Sequence, residues 1–419
     1  MRTNPPTWTM SAIRPLIPLL MAAGLLLAGN GLFSTLIAVR GAQEGMSAGH
    51  IGWMGTTYFI GFLIGCIFVP RLLHDVGHIR TFAALAALAS CATLFLVLII
   101  DPYCWMASRF VIGICFSGLF TTIESWLNSG IANKDRGQVM AFYRVLDIVV
   151  VSGAQYMMPI FGTGGFTIFG IMTLMICLSL VPVAVGDRSK PKAPEVVKFD
   201  IKAIWIISPL ASIGCVTIGM TNAAFRYVGP LYAESIGLSL SSVATFISLG
   251  VIGGAILQYP LGLLSDRYDR RWILIFATMG AVVSGLFISM IAGENVNLVY
   301  VGIFLFGAFS LPLYSLSAAH ANDRATKDQY VLLAAGLMFF YGIGASIGPP
   351  ASSLMLSLYG PSALFLFTSI VHGSLVVVTL WRMRQRKAVP MHRRGPFQML
   401  LRTSPVMQKL TRARSKNNH

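Results

Sequence analysis

Twelve runs of apolar residues, each long enough to cross about 30 Å of hydrocarbon as a helix, constrain this chain more than any other feature. They fall at 15–39, 51–73, 79–100, 104–130, 138–160, 165–186, 203–228, 241–264, 272–292, 298–321, 330–354 and 362–383. None alternates over about 10 residues as a barrel strand would. A helix also satisfies its own backbone N–H and C=O groups, which lipid requires. Composition leaves no soluble alternative: of 419 residues, 55% are hydrophobic and 11% charged, against roughly 25% charged in a soluble domain. Apolar content this high also excludes a disordered chain. The expected fold class is an all-α polytopic membrane protein with twelve transmembrane helices. The first run lacks an evident small-residue cleavage site leading into a soluble chain, so it reads as a retained span and not a cleaved signal.

The charges orient the spans. With both termini cytoplasmic, all of the 31 basic residues except Arg40, Arg109 and Arg226 lie on or near the cytoplasmic side, as the positive-inside rule demands. The outer loops instead carry Glu44, Asp101, Glu234 and Glu294. The net charge of +16 therefore needs no nucleic acid to explain it. The tail 385–419 reads as a disordered cytoplasmic extension in contact with anionic lipid. Six cysteines lie in or beside apolar runs without a CxxC pair, so neither a disulfide framework nor a metal site is expected.

A polar, proline-rich stretch at 187–202 separates the sixth and seventh runs and reads as a cytoplasmic linker. It divides the chain into a bundle over 1–186 and a second over 203–384, with a basic tail over 385–419. Internal repetition supports the division. Pro70 and Gly262 are 192 positions apart, Lys134-Asp135 and Lys327-Asp328 are offset by 193, and Gly153-Ala154 and Gly344-Ala345 by 191. Two pseudo-symmetric six-helix bundles are the architecture of secondary transporters that rock around a midplane site.

Gly262-Leu-Leu-Ser-Asp266-Arg267-Tyr-Asp-Arg270-Arg271 resembles the signature loop of the major facilitator superfamily, with Asp269 at the place of its second glycine. The corresponding loop of the first half keeps Asp75 and Gly77, but Pro70 and His74 replace two usual residues. Arg109-Phe-Val-Ile-Gly113 resembles the opening of the fourth helix in proton-linked members. Glu124-Ser-Trp-Leu-Asn128 with Arg136-Gly137, and Ala319-His-Ala-Asn-Asp-Arg324, are similar to the YcaD-like bacterial branch. The resemblance covers roughly 12–385. It implies the superfamily fold, a small-molecule substrate, alternating access and a bacterial inner membrane. The Gly-Pro motif of drug antiporters is missing from the fifth helix, and Gly348-Pro349 stands in the eleventh instead.

Ionisable groups inside a membrane are costly and mark functional positions. Counting outward from the loop near residue 135, Glu124, Arg144 and Asp147 reach similar depth, about 15 Å in. Arg144 and Asp147 share a helix face at i, i+3. Two carboxylates and one guanidinium make a candidate proton-coupling site, with a structural clamp as the other reading. Arg109 lies on the same helix as Glu124, about 22 Å further out, either to modulate that site or to snorkel to headgroups. His320 is a further titratable candidate. Substrate-cavity candidates are Asn30, Gln155, Asn222, Arg226 and Gln258, with Ser310, Tyr314 and Ser317 as one polar stripe on the tenth span. Arg226 suits an anionic substrate group.

No lysine is preceded by glycine, so the Walker pattern and ATP are excluded. No cofactor, metal or enzyme motif is expected. The reading is a secondary transporter of a small organic solute, coupled to protons. The alternatives are efflux of amphipathic compounds and a solute sensor that does not transport.

Overall fold

Lipid offers a backbone no donors or acceptors, and each apolar run forms α-helix. A computed structural model describes residues 16–130, 136–185, 200–291, 295–326, 329–391, 394, 395 and 397. The first fifteen residues, most of the expected linker, the Lys134-Asp135 and Lys327-Asp328 repeat marks and most of the tail lie outside the described residues. The first four spans are α1 (Ile17–Gln43), α2 (Ala48–Val76), α3 (His78–Leu98) and α4 (Pro102–Gly130). α5 (Arg136–Gln155) and α6 (Met157–Phe161) form the fifth, and α7 (Thr167–Val185) the sixth. After a short α8 (Ile201–Ile207) come α9 (Pro209–Ser235), α10 (Leu240–Arg267) and α11 (Arg270–Met290). α12 (Val296–Ser310) and α13 (Leu313–Asn322) share the tenth span, followed by α14 (Tyr330–Tyr359) and α15 (Ala363–Gln385).

Among the described residues, eleven stretches are long and apolar enough to span a membrane, and α8 with α9 qualifies as a bent pair. The seventh run, expected at 203–228, is bent and its main helix reaches Ser235. α8 meets α9 at 109°, and the crossing helix begins at Pro209, further along the chain. The cause is local. Proline at the first helical position lacks an N–H that the helix would leave unused anyway, and the Ser208 hydroxyl accepts from Ala211 N at 3.3 Å. The tenth span is interrupted at Leu311-Pro312. Between α2 and α3, Gly77 takes φ +91°, a conformation that favours glycine, and so turns the chain sharply.

Glycines set the closest helix crossings. A Cβ added at Gly61 on α2 would overlap the Phe110 carbonyl on α4, and one at Gly113 would overlap the Tyr58 carbonyl. The same crossing recurs between α10 and α12. There Gly253 faces the Phe304 carbonyl, and Gly307 faces that of Gly250. Gly253 follows Gly61 by 192 positions and Gly307 follows Gly113 by 194, within one position of the sequence-repeat offsets. With little hydrophobic drive between helices in lipid, such close backbone approach is a main source of association.

The first six spans meet the last six chiefly along α2–α14, α5–α10 and α1–α9. Near one face, a Cβ at Gly52 would overlap Ser353 Oγ. Thr56 Oγ1 donates to the Ser346 carbonyl at 2.7 Å. Ser248 Oγ donates to the Ser152 carbonyl at 3.0 Å, and Tyr156 lies 3.1 Å from Thr245 Oγ1. These contacts close the face opposite the one that carries the basic turns at α2–α3 and α10–α11. The latter is called the basic face below.

Candidate functional site

A polar chain crosses between the halves at mid-depth. Arg144 Nη1 donates to Asp147 Oδ2 at 2.7 Å, while Nη2 donates to Gln258 Oε1 of α10 at 3.0 Å. Gln258 Nε2 then donates to Ser315 Oγ of α13 at 2.8 Å. The α-helical i, i+3 spacing brings Arg144 and Asp147 together, as the sequence implies. Their side chains keep 17% and 16% exposure, so the pair borders open space. Glu124 is fully buried on α4. Its charge and that of Asp147 both bear on buried Tyr143, which lies next to Arg144 in the chain. Sequence reasoning missed Tyr143 and the Gln258 link. The link needs the antiparallel α5–α10 register, which no local pattern reveals.

Arg109 is not an interfacial arginine. α4 begins at Pro102, so Arg109 lies two turns inside, and it is only 1% exposed. Its guanidinium carbon sits 5.0 Å from the centre of the Phe33 ring, 4.5 Å from Tyr58 and 5.6 Å from Tyr227. Nη2 donates to the Tyr227 hydroxyl, whereas Nε and Nη1 have no acceptor. Each ring face returns about 0.5–2 kcal/mol, less than the several kcal/mol that burying the charge costs. Tyr58 in turn donates to Asn30 Oδ1 at 2.8 Å. The sequence flagged Arg109 and Asn30 but not the rings, because aromatic residues are scattered through every span.

The other candidates separate. Asn222 Nδ2 donates to the Tyr341 hydroxyl at 2.7 Å, joining α9 to α14. Gln155 Nε2 donates to the Gly31 carbonyl at 3.0 Å and ties the fifth span to the first. Arg226 is partly exposed, and its charge reaches Tyr58 and Tyr227. The break at Pro312 divides the expected stripe. Ser310 Oγ lies 3.2 Å from His372 Nε2, Tyr314 packs edge-on against Tyr341, and Ser317 lies under Gly214. All three are buried between helices. His320 borders a small basic-face pocket with Arg271, Arg324, Arg382 and Arg386. His372, buried on α15 between Ser310 and Thr221, was not anticipated. As an ionisable residue in the middle of an apolar run, it met the rule that flagged the others.

On the basic face, the loop motif is a bonded cluster. Arg270 Nε pairs with Asp323 Oδ2 at 2.6 Å, and its Nη1 pairs with Asp266 Oδ1 at 3.1 Å. Arg271 grips Asp269 at 2.7 Å. Burial raises the Asp269 carboxyl, but the hydrogen bonds and charge of Arg271 outweigh it and hold it below the ordinary range. Arg267 and Asp75 are exposed, and His74 Nδ1 lies 3.0 Å from Asp75. The tail was expected to be a disordered extension against anionic lipid, and at Gly395 and Phe397 it is instead docked on the loop motif. Gly395 N donates to Asp323 Oδ1 at 3.1 Å, Phe397 N donates to Asp266 at 2.9 Å, and the Phe397 ring covers Gly262. Two carboxylates with acceptor capacity to spare hold the segment there. Among the described residues, no group of three His, Cys, Asp or Glu could hold a metal ion.

A family model described as Major Facilitator Superfamily matches residues 19–258 and 211–414. The chain belongs to the major facilitator superfamily. It is similar to an uncharacterized MFS-type transporter of Yersinia pestis, 24% identical over 392 residues that cover 92% of this chain and 98% of the relative. It is also similar to the uncharacterized MFS-type transporter YcaD of Escherichia fergusonii, 24% identical over 85% of this chain and 93% of the relative. The fold matches the nucleoside transporter NupG with a TM-score of 0.73 at 11% identity, covering 88% of this chain and 99% of that one. A bacterial homolog of the human lysosomal transporter Spinster, in an inward-facing and occupied conformation, matches with a TM-score of 0.72 at 12% identity, covering 91% and 97%. Membership makes the chain a multi-pass membrane transporter with a small-molecule substrate, and not an enzyme.

Proposed function

We propose that the chain moves a small organic solute by alternating access and couples that movement to protons, with Glu124, Arg144 and Asp147 as the coupling groups. The observation that carries this reading is the bond from Arg144 to Gln258. It places the Arg144–Asp147 pair on the seam between the halves, so a rocking motion changes the pair's surroundings. Once Gln258 moves away, Arg144 loses one bonded partner, while hydration of the opened seam alters the cost of the Arg144 and Asp147 charges. Protonation and conformation are then linked.

The energetics suit a moving seam. Its polar cross-half bonds contribute about 0.5–1.5 kcal/mol each. A solute shifts the equilibrium between the two states by its difference in affinity for them. A proton crossing 100 mV supplies about 2.3 kcal/mol. The positive-inside rule supports a cytoplasmic basic face, and the bacterial relatives support a place in the inner membrane.

The test is solute uptake into proteoliposomes under an imposed pH gradient, with a metabolite panel, for the native chain and for Glu124→Gln and Asp147→Asn. The native chain should concentrate a solute only while the gradient stands. At least one variant should equilibrate the solute without concentrating it. Full gradient-driven accumulation in both variants would remove these residues from coupling.

A further inference from the structure

Resting on that reading of the chain as a solute transporter, we propose that Arg109 binds the carboxylate of a monoanionic organic solute whose apolar body packs among Phe33, Tyr58 and Tyr227. Comparison with the other well-placed arginines motivates it. Arg40 pairs with Glu44, Arg144 with Asp147, Arg270 with Asp266 and Asp323, and Arg271 with Asp269. Arg109 is as buried as any of them, yet among the described residues no carboxylate faces it. Nε and Nη1 remain without an acceptor. A guanidinium presents five N–H donors in a fork that fits a carboxylate, and here the Tyr227 hydroxyl takes only one of the three nitrogens.

Charge and surroundings define the class of ligand. One uncompensated positive charge in a low-dielectric site is neutralised by one negative charge, which favours a monoanion over phosphate. The rings that flank the guanidinium, with Phe59 and Phe116 behind them, suit an aromatic or aliphatic body. Arg226, whose charge also reaches Tyr58 and Tyr227, is partly exposed, so water compensates its charge and Arg109 remains the one buried charge that needs an anion.

Space lies next to the cluster. Gly29 is buried, yet a Cβ there would meet nothing within 4 Å. It sits one helical turn from Phe33 on the same face of α1. Asn30 beside it is partly exposed and accepts from Tyr58. The site also spans the seam, since Arg109, Phe33 and Tyr58 come from the first six spans and Tyr227 from α9. A ligand there touches both halves, so it bonds differently once they move apart.

The test uses the purified full chain in neutral detergent at constant ionic strength. Benzoate, phenylacetate and indole-3-acetate are each compared with the corresponding amide by the shift they cause in apparent melting temperature. At least one acid should raise the melting temperature well above its amide. Arg109→Gln should need at least about tenfold more of that acid for the same shift, and Arg109→Lys should fall between, keeping the charge but losing the fork. A purely structural role for Arg109 would alter melting without ligand and leave the acid–amide difference intact. Ligand-free melting and gel filtration show whether Arg109→Gln folds; if it does not, Arg109→Lys carries the comparison. The proposal is overturned if no acid separates from its amide, or if the variants respond as the native chain does. Gradient-driven uptake of an uncharged solute that survives Arg109→Gln would likewise remove the anion site and leave the transport reading standing. Acid binding without gradient-dependent uptake would do the reverse.

Discussion

An alanine at Gly61 or at its repeat partner Gly253 should destabilise the protein through one backbone contact in each half. The added Cβ would lie well inside the 3.0 Å that real Cβ atoms keep from other heavy atoms, against the Phe110 or Phe304 carbonyl. Those carbonyls belong to hydrogen-bonded helices, so neither can swing aside as a flexible side chain would. The helices must separate by about 1 Å, and overpacking of that kind costs about 1–3 kcal/mol. Alanine's better helix propensity returns up to about 1 kcal/mol, leaving a net loss of about 2 kcal/mol at the upper end. Gly29→Ala is the matched control, since its methyl meets nothing within 4 Å and only the propensity gain of about 0.5–1 kcal/mol applies. Scanning fluorimetry in one detergent should therefore place Gly61→Ala and Gly253→Ala below the native chain by similar amounts, with Gly29→Ala at or above it. Native-like stability for the first two, or an equal loss in the third, would refute the reasoning.

Two further outcomes concern the basic face. Arg270→Ala strips the partner from Asp323, whose side chain is 4% exposed, and should cost about 3–5 kcal/mol. Part of that loss should return in Arg270→Ala/Asp323→Ala, and a double variant as unstable as the single one would contradict the pairing. Asp269 is held below the ordinary carboxylate range, so its stabilising effect is full above that range and drains away as pH falls through the lowered value. Asparagine keeps the N-cap bond to Arg271 N. Asp269→Asn should therefore melt below the native chain at neutral pH, with the gap closing as pH falls below the ordinary carboxylate range; a gap that widens in acid would reverse the assignment.

Features that depend on a local pattern were legible in the sequence. Apolar run length specified the spans, and the i, i+3 rule placed Arg144 beside Asp147. The repeat offset of 191–193 is matched to within one position by the glycine crossings, where Gly61 and Gly253 are 192 apart and Gly113 and Gly307 are 194 apart. Features that depend on which helix faces which were not legible. Uniformly apolar spans leave helix rotation unspecified, so the rings around Arg109 and the reach of Arg144 to Gln258 emerge only after packing. The kink at Ser208-Pro209 had a readable signal in the proline, but the apolar run across it masked the break. The docking of Gly395 and Phe397 on Asp266 and Asp323 was hidden by the basic composition of the tail, which points to lipid and not to the loop motif.

Alternating access is the central claim, and the distance between the halves tests it most directly. Spin labels at His50 on α2 and Leu354 on α14, in a chain whose six native cysteines are replaced, report on the face closed by the Thr56–Ser346 and Gly52–Ser353 contacts. The account predicts a short distance matching the closed seam and a second, longer one. Their proportions should change with pH and with a transported solute, and Asp147→Asn should abolish the response to pH. One unchanging distance across pH and the solute panel would contradict it.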